Sequence, residues 1–207
     1  MKQGFKLLLV MVMVLGVFTL TGCGSKKEDN TVEISYKHGK GVFTLSVPKD
    51  EKGKAKYEFT TEKPKGISTS SSFYLVTDGA LFGFSTDSWT YQTSQKYKDK
   101  YGEKTPTFDG YLEFIEDKDL FNKSYLPGLD QLEINGRKAL RYYNRAGGSG
   151  DYDYYGYFYM IETDDVYPKS RAKMTVNYTS ETLPKEIVEF DQETLDIISS
   201  LKITANK

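Results

Sequence analysis

The chain has 207 residues, with 28 lysines and arginines against 29 aspartates and glutamates, and it holds one histidine, one cysteine and one tryptophan. A near-neutral balance without a long basic stripe offers nothing to follow a phosphate backbone, which argues against a nucleic-acid partner. A single cysteine excludes an internal disulfide framework, and a single histidine excludes a His-rich zinc site.

In chain order, Lys2 and Lys6 precede an apolar run over residues 7–20. Its length, about 14 residues, matches a secretory h-region of roughly 7–15 and falls short of the about 20 that span a bilayer. The run closes on Leu20-Thr21-Gly22-Cys23, which resembles the lipobox of bacterial lipoproteins. That resemblance implies a signal peptide over residues 1–22, cut just before Cys23, and a diacylglyceryl group on the Cys23 thiol. Two acyl chains, at about 0.8 kcal/mol per buried CH₂, anchor stably where one is marginal. The expectation is an exported protein, lipid-anchored to the bacterial cell membrane, facing outward and labelled by palmitate. Residues 23–31 are mostly polar and read as a flexible tether, and residues 32–207 read as one domain.

Strands come first in that domain. Val42-Phe43-Thr44-Leu45-Ser46-Val47 is β-branched and aromatic and stops at Pro48, and a second strand is expected over residues 57–61. Residues 72–77 and 81–84 flank Asp78-Gly79, a pair suited to the positive φ angles of a type I′ hairpin turn. Asn135-Gly136 repeats the signal between Leu132-Glu133-Ile134 and residues 137–143. Residues 154–162 form an aromatic strand with apolar side chains on both faces, fitting the middle of a sheet. Residues 172–178 alternate as a further strand.

Three helices are expected. Residues 88–101 form the first, stopped by Gly102, and Phe108, Tyr111, Leu112 and Ile115 mark one face of the second. Asp191 caps the third, with Leu195, Ile198 and Leu201 on its buried face and Phe190 stapling onto Leu195. The fold class is therefore α+β, an antiparallel sheet flanked by helices.

Residues 43–48, the stretch Ile134-Asn135-Gly136-Arg137-Lys138-Ala139-Leu140-Arg141-Tyr142, and residues 193–203 together resemble the order seen in PsbP-like and Mog1-like proteins. The resemblance covers about residues 42–203. It implies an α/β/α sandwich and an accessory or binding role rather than an enzymatic one. It carries over no functional residue.

Among candidate sites, His38 would be the one base open to a serine or cysteine hydrolase, and its setting in Tyr36-Lys37-His38-Gly39-Lys40-Gly41 reads as an exposed turn. Asp151, Asp153 and Glu162 follow the spacing of an EF-hand calcium loop with Gly156 at the turn, although Tyr155 offers no ligand at the fifth position. Tyr142, Tyr143, Tyr155, Tyr157 and Tyr159 cluster around the central hairpin and would suit stacking on a sugar ring or a protein surface. Glu113 with Glu116, and Asp117 with Asp119, read as a solvated helix face rather than the opposed carboxylates of a glycosidase.

No nucleotide or other cofactor fingerprint occurs. The leading expectation is a non-enzymatic membrane-anchored module binding a protein or envelope component. The alternatives are a carbohydrate or peptidoglycan binder using a tyrosine-rich sheet face, and a hydrolase.

Overall fold

A computed structural model describes residues 30–65, 71–146, 152–179 and 182–207. Cys23, the apolar run before it and most of the expected tether lie outside those residues, as does Asp151. From Thr31 to Lys207 the chain forms one unit of mixed α and β structure, mostly strands.

Two antiparallel sheets build it where the sequence reading expected one. The smaller holds β1 (Thr31–His38), β2 (Gly41–Pro48) and β10 (Lys202–Ala205), with β2 in the middle. The larger runs in the order β3 (Phe59–Thr60), β4 (Phe73–Val76), β5 (Ala80–Ser88), β9 (Ser170–Tyr178), β8 (Asp153–Ile161), β7 (Arg137–Ala146), β6 (Asp130–Ile134). The second sheet went unforeseen because β1 and β10 are thinly apolar. In β1, Val32, Ile34, Tyr36 and His38 alternate with exposed neighbours and are themselves only half-buried.

The expected strand at 57–61 shrinks to two paired residues, because Tyr57 leaves the ladder to donate its hydroxyl to Glu193 Oε1 at 2.7 Å. Both hairpins form, by different turns. Asn135 (φ 48°) and Gly136 (φ 82°) take the left-handed angles of a type I′ turn, pairing Ile134 with Arg137. Asp78-Gly79 does not. Neither has positive φ; Thr77 and Ala80 close that turn through backbone and hydroxyl hydrogen bonds of 2.9–3.0 Å. Gly79 is required for another reason: a Cβ there would stand 2.3 Å from the Asp191 carboxylate.

The helices are α1 (Gln95–Tyr101), α2 (Phe108–Glu116) and α3 (Gln192–Ser199). The first is shorter than expected because β5 continues to Ser88, Tyr91–Thr93 form a 3₁₀ turn, and extended Ser94 caps α1 by accepting from Tyr97 N. Gly102, at φ 74°, ends it. Asp191 caps α3, accepting from Thr194 N at 2.7 Å. The buried face of α3 is rotated from expectation, carrying Thr194, Ile197 and Ile198 with Leu195 only half-buried. Phe190 packs on Tyr157 and Tyr178, in the cluster against which Leu195 also packs.

These elements stack in layers around the seven-stranded sheet. On one face, Phe73, Phe82, Phe84, Tyr157, Tyr159, Met174 and Val176 pack with Phe43, Leu45 and Val47 of β2 and Ile197 and Ile198 of α3. On the other, Leu140 and Met160 pack beneath Trp89, Tyr97, Phe108, Tyr111 and Ile115, which puts α1 and α2 on that side. Arg137 ties several pieces together through two hydrogen bonds to Asp165 (2.7 and 2.9 Å) and bonds to the carbonyls of Glu162 and Ile203.

Candidate functional site

The tyrosine cluster does not form one face. Alternation along β7 and β8 sends Tyr142, which stacks on Phe158 at 5.2 Å, toward the α1–α2 layer. Tyr143, Tyr157 and Tyr159 go to the opposite side, the last two only 2% exposed. Tyr155 is the extra residue of a bulge: Asn144 pairs with Gly156 and Arg145 with Tyr154, leaving Tyr155 unopposed. Gly156 sits there at φ 135°, and a Cβ would lie 2.0 Å from the Val176 carbonyl oxygen. Burial pushes the Tyr142 and Tyr159 hydroxyls up to about 12.

The carboxylates are also apart. Asp153 opens β8 and Glu162 follows its end, about 30 Å away at roughly 3.3 Å per residue. Asp153 is ion-paired to Lys185. The spacing that suggested a calcium loop is therefore drawn out into a strand, and no group of three or more metal-ligating residues occurs among the described residues. Asp117 leaves the solvated face assigned to it: Lys100 (2.6 Å) and the Tyr101 hydroxyl (2.8 Å) hold its carboxyl below the usual range.

His38 is not an exposed turn residue. It ends β1 half-buried, with Nε2 3.3 Å from the Thr86 hydroxyl and its ring against Phe43 and Phe73, and this burial lowers its pKa. Its surroundings are those of a core histidine.

What the fold does assemble is a cavity of about 570 Å³ where β5 leaves the large sheet. Trp89, the first residue past β5 and 3% exposed, is part of its lining. The indole packs on Tyr111 at 4.9 Å, and the Arg171 guanidinium lies 4.8 Å from its ring centre. Trp89 N donates to Lys169 O at 3.0 Å, joining this corner to the loop ahead of β9. Lys169 itself stands at φ 65°, a conformation that costs a side-chain-bearing residue about 1–2 kcal/mol. The 3₁₀ turn contributes Gln92 and Thr93, α1 contributes Lys98, and the loop after Gly102 contributes Glu103, Lys104 and Thr105 above buried Pro106.

The lining is cationic and rich in hydrogen-bonding groups. Lys98 reaches Glu103 at 3.8 Å, while Lys104 lies 5.4 Å from the Tyr101 ring centre. Gln92 Nε2 donates to Trp89 O at 3.0 Å. Gln92 Oε1 and Trp89 Nε1 are buried without a hydrogen-bond partner among the described residues. Sequence reasoning missed this corner, since its residues are spread over positions 88–106 and 169 without motif spacing. The one available signal was the single tryptophan directly after a strand.

A smaller cleft of about 280 Å³ lies between Tyr125, Pro127, Tyr142, Arg145 and Phe158. Tyr125 is 73% exposed there. Among the described residues no helix is long and apolar enough to cross a membrane.

With this geometry in hand, comparison with known proteins found no matching family model, no matching curated protein and no matching solved structure.

Proposed function

We propose that the chain is an exported, lipid-anchored binding module of the bacterial envelope, non-enzymatic, with the layer order of PsbP-like and Mog1-like proteins. The observation that carries the binding role is the Trp89 cavity. At about 570 Å³ it falls in the roughly 300–1,000 Å³ range of small-ligand sites, and its charged lining is three lysines and one glutamate. Such a set can hold and orient a charged ligand. The apolar run ending at Cys23 supports export and anchoring, and a sheet covered on both faces supports the layer order.

Two measurements test the reading. Cells fed a palmitate analogue are expected to label the intact protein and to leave Cys23→Ser unlabelled, so an unlabelled wild type would remove the anchor. Detergent pull-down of the intact protein is expected to recover an envelope component, and recovery of nothing above background would remove the binding role.

A second reading keeps the carbohydrate alternative in altered form. The Tyr125–Tyr142–Phe158 cleft offers aromatic rings beside Arg145, the arrangement that stacks a sugar. A glycan array would favour it if Tyr125→Ala abolished the signal and Trp89→Phe did not.

A further inference from the structure

The geometry points to a phosphate ester of a polyol or sugar as the ligand of the Trp89 cavity, which rests on the binding role proposed above. Lys98 of α1, Lys104 of the loop after it and Lys169 of the loop ahead of β9 line one cavity, against the single carboxylate of Glu103, which pairs with Lys98 at 3.8 Å. Converging like charges repel unless an anion sits among them, and a concave wall of low dielectric concentrates their field. Lysines, rather than arginine forks, make the charge. An ammonium binds a phosphate oxygen as a point charge, without the fixed fork geometry of a guanidinium.

One further observation indicates that the ligand carries hydroxyls as well as charge. Thr93 and Thr105 line the same cavity; the Thr93 hydroxyl donates to Thr90 O at 2.7 Å and so offers an acceptor, while that of Thr105 can donate and accept.

The backbone at Lys169 adds weight. Its φ of 65° is one that glycine or asparagine takes at lower cost, yet the position carries a cation.

The single tryptophan makes the test direct, since all indole fluorescence of the chain comes from Trp89. The full chain in non-ionic detergent is titrated with glycerol 3-phosphate, soluble poly(glycerol phosphate), glycerol and inorganic phosphate. A saturable emission change is expected with the two esters, a weaker one with inorganic phosphate and none with glycerol. Lys104→Ala and Lys169→Gly should each weaken ester binding by about three- to fivefold, the scale of a solvent-exposed charge contact. Glycine suits the backbone at 169, so that variant should fold normally, and its melting temperature checks this.

Vesicles of phosphatidylglycerol set against phosphatidylcholine then separate the sources of the ester. A change with phosphatidylglycerol alone assigns the lipid headgroup, and a change with the soluble polymer alone assigns a free chain. No saturable change with any ester would overturn the inference. Equal affinity for inorganic phosphate, or unaltered affinity in the Lys104→Ala/Lys169→Gly double variant, would overturn it as well. A silent titration beside a recovered envelope partner leaves the binding role standing and removes only this ligand.

Discussion

The two faces of the seven-stranded sheet are built to different standards. Toward β2 and α3, the rings of Phe43, Phe59, Phe73 and Phe84 meet at 5.0–6.1 Å, and Phe43, Phe73 and Phe84 are fully buried. Toward α1 and α2 the rings are mostly Tyr and Trp, a cavity opens beside Trp89, and Trp89 Nε1, Gln92 Oε1 and Arg171 Nε lack partners among the described residues. Close apolar packing maximises dispersion and burial and leaves no room for a ligand. The other layer gives up some of that stabilisation around its cavity. The difference teaches that close apolar packing and an open, charged lining are divided between the faces of one sheet.

The largest effect should come from the first face. Phe84→Ala is expected to lower unfolding free energy by about 3–5 kcal/mol in urea titration; a loss under 1 kcal/mol would break the comparison. Next comes the clamp on that side. Arg137→Ala strips four hydrogen bonds and should cost about 2–3 kcal/mol, given the strength of charge-assisted bonds.

Alkali probes both faces together. Tyr159 on the first face and Tyr142 on the second ionise near 12 when folded, against about 10 when unfolded. Stability is therefore full below pH 10 and falls as pH rises from 10 toward 12, because the unfolded chain loses its phenolic protons first. Tyr159→Phe and Tyr142→Phe should each keep about 1.4 kcal/mol more of their stability at pH 11, one pH unit above the unfolded value, at roughly 1.4 kcal/mol per unit. Tyrosinate absorbance followed beside circular dichroism would check this.

Asp191→Ala, which removes the cap of α3, should cost about 1 kcal/mol. The smallest effect has the opposite sign: Lys169→Gly should leave the melting temperature unchanged or raise stability by up to about 1 kcal/mol. A clear destabilisation there would mean that Lys169 supports the fold and that the division between faces is less clean.

How much was legible follows from the reach of each signal. Asn135-Gly136, Asp191 and the 3.6-residue spacing of α2 are local, and the structure forms each nearby. The Asp78-Gly79 turn formed with other angles, because the demand at Gly79 comes from Asp191, more than a hundred residues on. β10 went unread since Ile203 is its single buried side chain and its partner, β2, lies far back in the chain. Side-chain direction failed for the same reason: Tyr142 and Tyr143 are neighbours in sequence, yet a strand sends them to opposite layers. The Trp89 cavity depends on segments meeting across β5 and β9, which composition does not report.

The small sheet also governs how the unit responds to force. β1 pairs with β2 along its full length, from Thr31 opposite Pro48 to His38 opposite Gly41. A pull on Thr31 along the strand axis loads all of those pairs together in shear, whereas a pull across the sheet opens them one after another. The ion pair between Glu33 and Lys202 reaches over β2 and brings β10 into the same line of load. Residues ahead of Thr31 are thus attached at a point that resists lengthwise traction and gives way to peeling.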